Sequence, residues 1–129
     1  MAAFNKVETS KAPAAIGPYS QAVTVNGMVY TSGVIPADPE TGDIVGDDIT
    51  AQATRVMESM KGLLEDAGSG MDQIVKTTCF LQDLNDFATF NEIYASFMTG
   101  EVTPARSTVQ VAKLPKGVLV EVEAVALLK

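Results

Sequence analysis

The chain has 129 residues, 47% of them hydrophobic and 19% charged, a globular composition at a length that folds around one core without staples. Sixteen acidic residues against nine basic ones give a net charge of −7, which repels phosphate backbones and argues against nucleic-acid binding. Histidine is absent and Cys79 is the single cysteine. This excludes histidine bases, histidine metal ligands, Ser-His and Cys-His pairs, two-histidine ribonuclease chemistry and an intrachain disulfide.

The first residues, Met1 to Lys6, lack the apolar stretch of a signal peptide. The longest fully apolar run, residues 124–128, is far below the roughly 20 residues that span a bilayer. A cytoplasmic protein with no membrane partner is the expectation. Residues 6–9 can form a short first strand. Pro13, Gly17 and Pro18 mark a loop over 11–18. Residues 22–25 and 28–35 read as two strands, joined by Asn26-Gly27, the strongest hairpin signal in the chain. A polar loop follows over 36–48. Its acidic residues do not fit a calcium-binding loop, and no metal site is expected.

Thr50 is a plausible N-cap for a first helix. Ala53, Val56, Met57, Met60, Leu63, Leu64 and Ala67 form its apolar stripe, and Gly68 stands where a C′ glycine belongs. Residues 74–81 read as a strand with Cys79 in the core. Residues 83–86 cap a second helix, whose stripe is Phe87, Phe90, Ile93, Tyr94 and Phe97 and which ends at Gly100. Residues 106–112 alternate again, 114–117 form a turn and 118–127 form the last strand. The turn suggests that these last two strands pair as a hairpin. The order predicts a single α+β domain over residues 1–129, a mixed sheet with two helices on one face.

Period two divides the last strand. Val118, Val120, Val122, Ala124 and Ala126 form a wholly apolar face for the helices. The other face sets Glu121 and Glu123 among Leu119, Val125 and Leu127. Either the charges protect a sheet face from aggregation, or another subunit covers that face and each carboxylate needs a donor. Alternation also puts Arg106, Thr108 and Gln110 on one face of the preceding strand. Arg106 can then meet Glu121 or Glu123, in its own chain or a neighbour's, as a simple ion pair or as part of a site.

Several segments resemble the RidA/YjgF family in the right order across nearly the whole chain. Ala12-Pro13-Ala14-Ala15-Ile16-Gly17-Pro18-Tyr19-Ser20-Gln21 is similar to its N-terminal signature, and Thr31-Ser32-Gly33-Val34-Ile35-Pro36 to its SGQIP segment. Ile74-Val75-Lys76-Thr77-Thr78 and Leu84-Asn85-Asp86-Phe87 resemble its middle. Pro104-Ala105-Arg106-Ser107-Thr108-Val109-Gln110-Val111-Ala112-Lys113-Leu114-Pro115-Lys116, with Val120-Glu121-Val122-Glu123-Ala124, resembles its C-terminal signature.

The resemblance implies a chorismate-mutase-like fold and a homotrimer with a central β-barrel and sites between subunits. It implies hydrolysis of 2-iminopropanoate and 2-iminobutanoate to 2-oxo acids and ammonia, without cofactor or metal. Arg106 matches the family's essential arginine, whose planar fork suits a substrate carboxylate. Glu121 matches the site glutamate that steers the attacking water, with Glu123 structural. Tyr19 matches the site tyrosine; from the residues alone it reads as an interface aromatic. Ser32 and Gly33 match pocket positions, and glycine admits close backbone approach. Asn91 matches a polar site position on the second helix; alone it reads as a surface residue. Thr108 departs from the pattern, because the archetypal deaminases carry cysteine there. Threonine keeps the backbone N–H and offers a hydroxyl but no thiolate. Two rival functions remain open: a 2-oxo acid-binding regulatory protein without catalysis, and an endoribonuclease or translation inhibitor, against which charge and missing histidine speak.

Overall fold

In a computed structural model, which describes residues 3–129, the Asn26-Gly27 turn forms as its sequence demands. Asn26 has φ 49° and Gly27 φ 77°, the left-handed pair that matches strand twist in a two-residue hairpin. The turn joins β2 (Ala22–Val25) to β3 (Met28–Thr31), and β1 (Asn5–Val7) pairs antiparallel with β2.

The expected strand over 28–35 stops at Thr31. Ser32 extends the β2–β3 register by one bond, its N–H donating to Gln21 O at 2.9 Å, and its hydroxyl donates to Ser20 O at 2.6 Å. Val34 then returns to the sheet in a single bridge to Val122. Ser32 and Gly33 therefore lie between the end of β3 and the Val34 bridge.

Helix α1 (Ile49–Asp66) starts before Thr50. Asp48, extended at φ −123° and ψ 167°, is the N-cap, and its carboxylate accepts from Ala51 N at 2.8 Å. Both residues can cap, but Ile49 is buried and belongs to the apolar stripe, so the helix opens two residues earlier than a Thr50 cap would give. Asp48→Ala is expected to cost about 1 kcal/mol, read as a lower denaturant midpoint at unchanged slope, whereas Thr50→Ala is expected to cost less. At the other end Gly68 (φ 93°) donates to Glu65 O at 3.1 Å and Ser69 N to Leu64 O at 2.8 Å, the paired bonds of a glycine stop.

Strand β4 (Ile74–Leu81), helix α2 (Phe87–Phe97), β5 (Ala105–Gln110) and β6 (Val120–Leu127) complete one six-stranded sheet in the order β1-β2-β3-β6-β4-β5. The expected hairpin between the last two strands does not form. β5 runs parallel to β4 at the sheet edge, while β6 inserts antiparallel between β3 and β4. The reason is burial. Val120, Val122, Ala124 and Ala126 are all buried, and a central position covers that face completely. β5 has no such run, and its residues are half-buried or exposed.

Both helices lie on one face, where their Val56, Met57, Met60, Leu63, Leu64 and Phe90 share one core with Val29, Cys79, Val122 and Ala124 of the sheet. No described helix is long and apolar enough to cross a membrane. The described residues leave the opposite sheet face uncovered, with Tyr30, Val109 and Leu127 exposed. Apolar side chains there, interleaved with Glu121 and Glu123, match the sequence pattern of the last strand.

Candidate functional site

Register decides which side each candidate residue faces. Arg106 pairs with Thr77 and Thr108 with Cys79, both buried on the helix side. Glu121 pairs with Phe80, between the buried Val120 and Val122 and so on the opposite face. Arg106 and Glu121 of one chain thus lie on opposite faces of the sheet, and a contact within the chain is ruled out. The candidates fall into two groups.

The first group is built by β5 and α2. The Arg106 guanidinium donates from Nη1 to Asn91 Oδ1 at 2.7 Å. Its carbon lies 4.7 Å from the centre of the Tyr94 ring and 5.5 Å from that of Phe87. Asn91 is therefore no idle surface residue. Among the described residues no carboxylate lies within ion-pair distance of Arg106; the ion pairs found are Lys6–Glu8, Lys11–Asp66 and Lys129–Asp72. A guanidinium carries five donors, and here a neutral amide takes one.

Thr108 lies two residues along the same face. Its Oγ1 is buried and makes no hydrogen bond, the single such side-chain atom among the described residues. An orphaned buried hydroxyl is a cost that a ligand or a neighbouring chain can recover. Cys79 behind it does not replace the missing thiol. Burial pushes it up to about 11, against the opposing pull of the Thr77 hydroxyl and the Arg106 charge. It remains a protonated core thiol.

The second group gathers around Gly33, with Glu121 on the other face of the sheet and Tyr19 on the loop before β2. Tyr19 follows the Gly17-Pro18 turn, with its N–H bonded to Gly17 O at 2.9 Å, and its hydroxyl accepts from Ile16 N at 3.2 Å. Its ring is half exposed. Tyr19, Ser32, Gly33 and Ile35 line a small cleft of about 50 Å³ with Ala14 and Ala15. The Glu121 carboxylate lies across the bare α-carbon of Gly33: a β-carbon there would overlap Oε2 and come within 2.7 Å of Cδ. Burial raises the Glu121 pKa above the ordinary glutamate value, and the nearby Glu123 charge adds to it. Glu123 itself is exposed.

Three residues of these groups were not singled out by sequence as functional. Tyr94 and Phe87 pass as members of an apolar stripe. Their spacing with Asn91, i, i+4 and i+7 on one helix face, is the signal that gathers them under Arg106. Gln21 is the third. Its buried amide donates to Thr9 O (3.1 Å), Ala12 O (3.2 Å) and Pro13 O (2.8 Å) and accepts from Thr9 N (2.8 Å), which bolts down the loop that carries Tyr19.

The model of the family described as Endoribonuclease L-PSP matches residues 9–128. The 2-iminobutanoate/2-iminopropanoate deaminase of Salmonella typhimurium is 52% identical over 122 residues, covering 93% of this chain and 94% of that protein. AldR of Lactococcus lactis, named as a regulator, is 50% identical over 123 residues, covering 95% and 97%. The crystal structure of Escherichia coli TdcF with bound serine superimposes with a TM-score of 0.91 at 46% identity, covering 97% of this chain and 99% of that one. Family match, sequence identity and fold agree over almost every residue, and the chain therefore belongs to the Endoribonuclease L-PSP family, the RidA/YjgF family of the motifs above.

Proposed function

We propose that this protein is a hydrolytic deaminase of small 2-imino acids, with sites formed between the chains of a homotrimer. The observation that carries this reading is Arg106: a fixed guanidinium with most of its donors free and, among the described residues, no carboxylate to hold. A planar cation in that state fits a planar anion. Every 2-imino acid carries one beside its C=N carbon.

The second group supplies the other half. Glu121, with Gly33 against its carboxylate, faces away from Arg106 of its own chain on an apolar sheet face that the described residues leave uncovered, and Tyr19 and Ser32 line the cleft beside Gly33. Packing that face against a second copy buries it and brings the second group of one chain to the first group of another. A ring of three copies closes such a head-to-tail contact.

In that cleft the substrate carboxylate rests on Arg106. Glu121 accepts a proton from water as its oxygen adds to the imine carbon, giving a tetrahedral carbinolamine. That proton passes to the nitrogen. Glu121 then takes the carbinolamine hydroxyl proton and relays it to the nitrogen as the C–N bond breaks and the C=O forms, so ammonia and the 2-oxo acid leave and Glu121 is ionised again. The imine is electrophilic, so positioning supplies most of the acceleration. That is why threonine at position 108 is compatible with turnover. No step uses a thiolate, a metal or a cofactor.

The experiment is a coupled assay. A threonine dehydratase generates 2-iminobutanoate, semicarbazide traps what survives, and this protein is added. Faster imine loss supports the deaminase; unchanged trapping rejects it. A second reading, a regulatory protein that binds 2-oxo acids without turning them over, draws on Thr108 and on the similarity to AldR. It predicts saturable 2-oxobutanoate binding with no imine loss.

Gly33 offers a sharper probe. Its backbone is not in the left-handed region, so alanine fits the chain conformation and the Glu121 side chain must swing aside. Gly33→Ala is expected to leave the melting temperature nearly unchanged and to slow imine hydrolysis roughly tenfold or more, because small misplacements at a reacting centre are costly. Equal turnover in the two proteins would show that the carboxylate need not sit there.

A further inference from the structure

We propose that Tyr94 is a positioning residue for Arg106: its ring face fixes the plane of the guanidinium and so sets the affinity for the substrate carboxylate. This inference deepens the deaminase reading and rests on Arg106 as the anion grip.

The geometry is a rack built by one helix face. Phe87, Asn91 and Tyr94 stand at i, i+4 and i+7 on α2. Asn91 pins Nη1 at 2.7 Å, and the rings of Tyr94 and Phe87 meet the guanidinium carbon at 4.7 and 5.5 Å. Tyr94 is the stronger contact on two counts. It is nearer, and at 6% exposure it is drier than Phe87 at 37%. Cation–π attraction grows as water is removed.

The ring itself cannot turn freely. Its hydroxyl is 2.7 Å from Thr77 Oγ1, and Thr77 is the register partner of Arg106 on β4. Its body packs against Phe90, with ring centres 5.8 Å apart. One rung of the sheet thus fixes both the arginine backbone and, through Thr77 and Tyr94, the surface on which the arginine head rests. A long side chain loses rotamer freedom when it binds a ligand. Here that freedom is already spent before the ligand arrives.

The assignment separates two effects of one side chain. The ring governs ligand affinity, and the hydroxyl governs stability through Thr77. Tyr94→Leu is expected to raise the Kd for 2-oxobutanoate and the KM for imine roughly tenfold or more, the size of a desolvated cation–π contact. Its kcat is expected to stay within about twofold, because a carboxylate grip acts alike on ground and transition states. Tyr94→Phe and Thr77→Val are expected to keep Kd within about threefold while lowering the melting temperature, since each leaves a buried hydroxyl site unmatched.

Calorimetric titration of the full chain with 2-oxobutanoate, thermal melting and the coupled assay read these quantities. NMR of the unmutated protein adds a test that needs no variant. Stacking predicts an upfield ring-current shift of the Arg106 Nε–H signal, retained in Tyr94→Phe. An unshifted signal overturns the proposal, as does a Kd in Tyr94→Leu equal to that of the unmutated protein. So does a Kd that simply follows the melting temperature across the variants, which is what a purely structural tyrosine would give. If the unmutated protein binds no 2-oxobutanoate at all, the anion grip falls and this inference falls with it. That result is distinct from normal binding that Tyr94→Leu leaves untouched.

Discussion

Arg106→Ala is expected to abolish measurable imine hydrolysis and 2-oxobutanoate binding while leaving the fold in place. The side chain stands half-buried at the sheet edge, and no described carboxylate depends on it. Its loss strands Asn91 Oδ1 and uncovers the Tyr94 ring. Those are small losses beside the ligand's: removing one partner of a hydrogen-bonded charge pair costs about 2–5 kcal/mol, or roughly 30- to 4000-fold in affinity. Arg106→Lys keeps the charge but loses the planar fork and is expected to fall between the two proteins. Calorimetry with 2-oxobutanoate and the semicarbazide assay measure both variants. Undiminished imine consumption by Arg106→Ala would refute the carboxylate grip outright. RNA cleavage that survived repurification and vanished in the same variant would instead revive the endoribonuclease reading.

Much of the fold was legible because its signals are local. The Asn26-Gly27 turn, the α1 stripe, the Gly68 stop and the two faces of β6 all follow from chemistry within a few residues. Strand partners were not legible. Alternation says which way a side chain points but not which strand lies beside it, so β5 was expected next to β6 and is found next to β4. The N-cap moved from Thr50 to Asp48 for a similar reason: two competent caps flanked Ile49, and its burial chose between them.

The same limit shaped the reading of the site. Residue types and motif resemblance named Arg106, Glu121, Tyr19, Ser32, Gly33, Asn91 and Thr108. Only register puts Arg106 and Thr108 on one face of the sheet and Glu121 on the other. Thr77 beside Arg106 and Phe80 beside Glu121 make that division. Tyr94 escaped notice because an aromatic at helical spacing is ordinarily core. It is core, buried and bonded to Thr77, and its exposed work is done on the one face turned toward the guanidinium.

Glu121→Gln is expected to lower imine hydrolysis roughly 100-fold or more, the usual worth of a positioned proton acceptor, and at neutral pH to make the chain slightly more stable. The two effects share one cause. Burial first, and the Glu123 charge second, raise the Glu121 pKa in the folded chain. The folded state then holds its proton more tightly than the unfolded state. Stability is full below the unfolded value and falls as pH rises through the folded one. At pH 7 the ionised carboxylate is a burden to the fold, and a neutral glutamine of the same shape lifts it. The catalytic role runs the opposite way, because only the ionised form can take a proton from water. Activity is therefore expected to decline on acidification at a pH above the ordinary glutamate range, while the melting temperature gains over the same interval. In Glu121→Gln that gain is expected to disappear, and binding of 2-oxobutanoate at Arg106 to persist. Melting curves and imine assays across the acid range test the coupling directly. A variant that melts lower than the unmutated protein at pH 7 would mean that the carboxylate is held by partners in the fold, leaving no free acceptor to steer water.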